Sequence, residues 1–105
     1  MDRIMEIVNR RLSDEDFNVD ALVDEIGMSR AQLYRKITEL TGLPPSEFIR
    51  NLRMQQAAKL LKKGDLTLAQ VTYAVGFSNP NNFSAVFKKY FGVSPKVYMT
   101  QNKGL

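Results

Sequence analysis

The chain has 105 residues, 44% hydrophobic and 25% charged, with only 4 Pro and 6 Gly, which suits one small folded domain, or two very small ones, and excludes a disordered or fibrous chain. It contains neither Cys nor His, so disulfide frameworks, zinc fingers, thiol nucleophiles and histidine bases are excluded, and no catalytic residue, metal site or cofactor is expected. The net charge of +4 is unevenly spread: residues 1–28 carry −5 and residues 29–105 carry +9, a polarity suited to meeting a polyanion through the later part of the chain.

The first residues, Met1-Asp2-Arg3-Ile4-Met5-Glu6, lack the apolar run of a secretory signal, and a cytoplasmic location is expected. The longest uncharged stretch, Leu66 to Phe87, contains Gln70, Thr72, Asn79, Pro80, Asn81 and Asn82, so no membrane span is expected.

Every element reads as a helix, and the fold class is all-α. Ile4, Ile7, Val8 and Leu12 give a first amphipathic helix ending near Ser13. After the acidic turn Asp14-Glu15-Asp16, Asn18 caps a short helix with the stripe Val19, Leu22, Val23 and Ile26, stopped by Gly27. Ser29-Arg30-Ala31-Gln32 has capping-box form and starts a helix buried through Leu33, Ile37 and Leu40, ending at Thr41-Gly42. Pro44-Pro45-Ser46-Glu47 opens the longest helix, which runs unbroken to Lys63-Gly64. At 100° per residue Phe48, Ile49 and Leu52 share about a third of its circumference, whereas Met54, Ala57, Ala58 and Leu61 lie roughly opposite. Such a helix bridges two small units or is buried in one core. Thr67-Leu68-Ala69-Gln70 is a second capping box, opening a helix that ends at Gly76. Beyond Asn79-Pro80 a helix carries Phe83, Val86, Phe87 and Tyr90 to Gly92, Ser94-Pro95 starts a last helix with Val97 and Tyr98, and residues 101–105 form a frayed tail.

The chain repeats itself. At an offset of 49, Leu22 aligns with Val71, Ile26 with Val75, Gly27 with Gly76 and Ser29 with Ser78; after one inserted residue the offset becomes 50, pairing Leu33 with Phe83, Ile37 with Phe87, Leu40 with Tyr90, Gly42 with Gly92, Pro45 with Pro95 and Phe48 with Tyr98. Each copy is a short helix, a turn of Gly, a large apolar residue and Ser, then a second helix: the helix-turn-helix pattern. Met28 and Phe77 are expected to plug the angle between the helices, and the Ser of each copy to cap the second one. A capped N-terminus with free N–H groups suits phosphate, which makes Ser29 and Ser78 candidates for phosphate contact.

Opposite the apolar stripe, the helix after Ser29 presents Ala31, Arg35 and Thr38, flanked by Gln32, Tyr34 and Glu39. Arg pairs with guanine and Gln with adenine through two hydrogen bonds. The second copy presents Asn81, Asn82 and Ala85, with Ser84, Lys88 and Lys89 nearby; Asn can read adenine, and the lysines suit phosphate. The bland alternative for each of these residues is a solvated helix face. Of the aromatics Phe77, Phe83, Phe87, Tyr90, Phe91 and Tyr98, helical spacing assigns most to the core rather than to a stacking platform.

Gly76-Phe77-Ser78-Asn79, Phe83-Ser84, Phe87 through Pro95 and Tyr98, together with Gly27 through Arg30, Gln32 through Lys36, Leu40-Thr41-Gly42, Phe48-Ile49-Arg50, Arg53-Met54, Ala57 and Leu60-Leu61, resemble the AraC/XylS family of bacterial transcription regulators over nearly the whole chain. The resemblance implies a seven-helix domain: a first helix-turn-helix subdomain with the N-terminal helix at 1–43, a linker helix at 44–64 and a second helix-turn-helix subdomain at 65–100, with both recognition helices in successive major grooves of double-stranded DNA. Matched position implies base contacts from Arg30, Ala31, Gln32, Tyr34, Arg35, Pro80, Asn81, Asn82, Ser84 and Ala85. The chain departs from the family at Ala85, where Arg is common, and at Val23 and Thr72, where a small residue is usual. The closest likeness is to output domains of two-component or hybrid regulators, which implies an upstream sensor or receiver, RNA polymerase as a partner and a monomeric isolated domain. A helical protein-interaction adaptor without DNA binding is the rival reading.

Overall fold

The computed structural model describes residues 2–102, which form seven helices and, among those residues, no strand. They are α1 (Asp2–Arg11), α2 (Val19–Ile26), α3 (Arg30–Thr41), α4 (Pro45–Lys63), α5 (Leu68–Ala74), α6 (Pro80–Phe91) and α7 (Pro95–Asn102). Gln101 and Asn102, assigned from sequence to the tail, belong to α7, and Lys103, Gly104 and Leu105 lie outside the described residues.

The local signals are realised as hydrogen bonds. Asn18 Oδ1 accepts from the Ala21 N–H. Ser29 and Gln32 close a capping box at α3, as do Thr67 and Gln70 at α5. Gly27 and Gly76 adopt φ of 76° and 82°, a left-handed conformation that L side chains resist, and so end the first helix of each repeat. Met28 packs on the first core and Phe77 on the second.

Two separate cores result. The first gathers Ile4, Ile7, Val8, Leu12, Phe17, Leu22, Leu33, Ile37, Phe48 and Ile49; the second gathers Met54, Ala57, Ala58, Leu61, Val71, Val75, Phe83 and Phe87. Each large side chain removed from water contributes about 1.5–3 kcal/mol before the entropy of ordering is charged against it. Both cores draw on α4, which packs against α3, α5 and α7. The bridging expectation is met, with a refinement: the cores divide α4 along its length as well as around it. Pro45 to Leu52 serve the first core, Met54 to Leu61 serve the second, and Arg53 stands at the boundary.

The repeat extends to the closing helices. Pro45 and Pro95 are both buried, and Phe48 and Tyr98 occupy matching places on the two cores. The first turn of α4 therefore does for the first unit what α7 does for the second.

Two expectations are corrected. Leu40, read as part of the buried stripe of α3, is 58% exposed; among the described residues no element reaches over it, and it lines a shallow groove with Met28, Gln32, Arg35, Lys36 and Glu39. Its partner in the repeat, Tyr90, is half-buried against the second core and donates its hydroxyl to Glu47 Oε2 at 3.0 Å. Burial, helped by that bond, pushes the Tyr90 phenol above its ordinary value. The second correction concerns Ser78. It is exposed and caps nothing, because the one residue inserted within the second copy, between Ser78 and Phe83, moves the N-cap of α6 to Asn79.

The substitutions at Val23 and Thr72 are absorbed by packing. Val23 is half-buried on the first core. Thr72 is fully buried, and its hydroxyl donates to the Leu68 carbonyl at 2.8 Å, so no polar group is stranded.

Candidate nucleic-acid interface

Each helix-turn-helix presents the first turn of its second helix to solvent. In α3, Ser29 Oγ accepts from the Gln32 N–H at 3.1 Å, and Gln32 Oε1 accepts from the Ser29 N–H at 3.0 Å. Arg30, Ala31, Gln32, Tyr34 and Arg35 are all exposed, Tyr34 at 51%. The structure thus brings the five candidates of the first motif onto one projecting helix, with two already engaged. Gln32 spends its amide oxygen on the cap, leaving the amide N–H₂ outward, and Arg30 is ion-paired with Asp20 of α2. Arg35 makes no ion pair among the described residues and stands opposite the buried Leu33 and Ile37 in helical phase.

In α6, Asn79 Oδ1 accepts from the N–H groups of both Asn81 and Asn82, at 2.8 and 3.2 Å, and Pro80 occupies the first turn, where its missing N–H costs nothing. Asn81, Asn82 and Ala85 are exposed, and Pro80 and Ser84 are half-buried. Their amides remain outward because the cap is supplied by Asn79 and not by either of them. Lys88 and Lys89, in the last turn, are exposed. Neither α3 nor α6 has an acidic residue in its first turn, so the partial positive charge of each N-terminus is not neutralised within its own helix. Phe83 and Phe87 are fully buried, while Phe91 is 38% exposed with its ring 4.5 Å from Phe87; the aromatics build the second core and do not form a platform.

Between the motifs lies a cleft of about 550 Å³ whose walls include Phe17, Arg50, Arg53, Phe77, Ser78 and Asn82. Sequence reading missed the residue at its base. Arg53 of α4 is partly buried, and its guanidinium donates to three carbonyls of the α1–α2 connection: Nε to Leu12 at 3.3 Å, and Nη2 to Asp14 at 3.0 Å and Phe17 at 3.1 Å. Desolvation pulls Arg53 below the usual arginine value, and nearby Asp14 opposes that shift. The sequence marked it only as part of the family resemblance and as a charged residue in angular phase between two apolar faces, neither of which names its partners.

The α1–α2 connection is held by its own bonds. Asp14 Oδ1 accepts from the Asp16 N–H at 2.9 Å, and its other oxygen accepts from Arg11 at 2.9 Å. These two interactions, the backbone N–H first, hold the Asp14 carboxyl below its ordinary value. Arg11 also pairs with Glu25 and lies 5.2 Å from the centre of the Phe17 ring.

Two recognition helices on separate cores, carried by one shared helix, define a double helix-turn-helix domain. A family model described as a helix-turn-helix domain matches residues 22–101. Histidine kinase P4 of Formosa agariphila is 36% identical over 94% of this chain, which covers 7% of that protein. The HTH-type transcriptional regulator MtrA of Neisseria gonorrhoeae is 38% identical over 81% of this chain, which covers 28% of that protein. The crystal structure of the DNA-binding domain of AdpA in complex with a target DNA superimposes with a TM-score of 0.86 at 27% identity, over 94% of this chain and 88% of that one. The chain belongs to the AraC/XylS family of helix-turn-helix transcription regulators, as their DNA-binding domain. It spans less than a third of either of these two relatives' length. Among the described residues no helix is long and apolar enough to cross a membrane, and no group of His, Cys, Asp and Glu is placed to hold a metal.

Proposed function

We propose that the chain binds double-stranded DNA through both recognition helices at once, α3 reading bases with Arg30, Ala31, Gln32, Tyr34 and Arg35, and α6 with Pro80, Asn81, Asn82, Ser84 and Ala85. Ser29, Ser78, Lys88 and Lys89 face phosphate in this reading. The observation that carries it is the pair of capped, outward-facing helix starts, each set on its own core and bearing side chains with two-donor or donor–acceptor ends. Size supports it too: the longest dimension is 45 Å, enough to reach successive major grooves about 34–36 Å apart. The two helices are unequal. Arg35 gives α3 a bidentate guanine reader, whereas Ala85 leaves α6 with Asn81 and Asn82 for adenine and a methyl for thymine contact.

The domain is proposed to be the output end of a longer cytoplasmic regulator that a sensor or receiver segment controls and that acts on RNA polymerase, with residues 1–43 and 65–100 as the two reading units and 44–64 as their link. The small share of each relative that it spans supports this.

The test is selection of bound sequences from random duplexes of about 25 base pairs, followed by fluorescence-anisotropy titration at several salt concentrations. Two enriched half-sites about one helical turn apart, bound with an affinity that falls steeply with salt, is the expected result. Binding without sequence enrichment, or enrichment of one half-site alone, would overturn the two-helix reading.

A further inference from the structure

We infer that Arg53, with Gly76 seated on it, is a positioning residue that locks the two helix-turn-helix units at one separation, so that it sets the spacing between half-sites the protein accepts.

Three segments distant in sequence meet at this guanidinium. The α1–α2 connection, part of the first unit, supplies the three carbonyls that Arg53 binds. It arrives ordered: the Asp14 carbonyl that accepts from Arg53 also accepts from the Phe17 N–H at 3.1 Å, and Phe17 is buried in the first core. The third segment is the turn of the second unit. Gly76 is buried, and a Cβ placed on it would stand 2.6 Å from the Leu12 carbonyl oxygen and 3.0 Å from both Cζ and Nε of Arg53. The turn that aims α6 therefore rests directly on the group that grips the first unit, in a backbone conformation that also favours glycine. The equivalent turn residue of the first unit, Gly27, has nothing within 4 Å of such a Cβ. The close approach at Gly76 thus belongs to the junction between units and not to the helix-turn-helix motif as such. On α6 itself, the Tyr90–Glu47 bond adds a second tie to the part of α4 that serves the first core.

The consequence for recognition rests on the proposal that both helices enter DNA. Each base pair inserted between half-sites displaces the second by about 3.4 Å and turns it by about 34°. A locked pair of readers cannot follow that change and loses the second unit's contribution, on the order of 100-fold in affinity for linked modules that can no longer engage together. A loosened pair binds its best site less tightly but is less sensitive to spacing.

The experiment compares the wild type with Arg53→Met, which keeps length and removes the donors, and with Gly76→Ala, which disturbs the junction from the other side. Affinity is measured on the selected site and on sites with one base pair added or removed between half-sites. The ratio of these affinities is the readout, because partial unfolding lowers binding to all sites alike and leaves the ratio unmoved. The expected penalty per base pair is roughly 100-fold in the wild type and under about tenfold in both variants. As a measurement independent of DNA, spin labels on Lys36→Cys and Lys96→Cys, unique in a chain without native cysteine, are expected to report one narrow distance that broadens on Arg53→Met. An unchanged spacing ratio together with an unchanged distance distribution overturns the inference. If the wild type binds no duplex, the DNA reading itself fails, and the spacing claim with it.

Discussion

The N-cap of α6 offers a direct test of how its recognition surface is built. Asn79→Ala removes an oxygen that accepts from two backbone N–H groups, those of Asn81 and Asn82 at 2.8 and 3.2 Å. Both sites are exposed, so water replaces the lost acceptor and the cost is that of a cap, about 1 kcal/mol and at most about 2. In a domain of this size each kcal/mol lowers Tm by about 4–8 °C. Ser78→Ala changes an exposed side chain that caps nothing and should stay within about 0.5 kcal/mol of the wild type. Asn79→Asp, which keeps the acceptor, should recover most of the loss. Urea and thermal unfolding followed by circular dichroism give these differences, with an unchanged m value showing that only stability has moved. Asn79→Ala should also weaken DNA binding, because the frayed turn carries Asn81 and Asn82. A loss for Ser78→Ala as large as that for Asn79→Ala would refute the assignment of the cap and the account of the inserted residue.

Arg35→Ala should lose discrimination at particular base pairs by about 1–3 kcal/mol; competition titrations with single-base variants measure it, and equal weakening on every sequence would remove Arg35 from base readout. Lys88→Ala and Lys89→Ala should each weaken binding uniformly and reduce the slope of log affinity against log salt by about 1, and an unchanged slope would rule out phosphate contact. Phe87→Ala empties a fully buried site beside Phe83, Phe91 and Tyr98 and should cost about 3–5 kcal/mol, read as the shift in urea midpoint. The folded state lowers the Asp14 pKa, through the Asp16 N–H and then Arg11, so its contribution is present above the ordinary carboxylate value and is lost as pH falls through the folded value. Asp14→Asn should therefore destabilise the protein at neutral pH, and its difference from wild type in urea unfolding should shrink on acidification; a constant difference would contradict this.

What could be read from sequence was what is encoded over three or four residues, or twice. The capping boxes at Ser29 and Thr67 are local by construction, and the match of Leu33 with Phe83 and Ile37 with Phe87 put both recognition helices in phase. Repetition also misled: carrying the Ser29 cap across to Ser78 ignored that the one-residue insertion falls between Ser78 and Phe83, where Asn79 takes the role. Leu40 follows the helical period but is left uncovered by the described elements, and periodicity carries no information on where a neighbour stops. Arg53 was illegible for a different reason. Its partners lie 36 to 41 residues earlier and are backbone carbonyls, which leave no trace in side-chain identity.

The matching of Phe48 with Tyr98 bears on how such a domain is assembled. In each unit a proline-led helix closes the core; in the first it continues for 19 residues, and in the second the described part spans 8. The linker is thus a closing helix allowed to run on until its far side became the floor of the next unit. By that rule growth is modular: lengthening α7 and giving its outer face the apolar pattern of Met54, Ala57, Ala58 and Leu61 specifies the seat for a third reading unit.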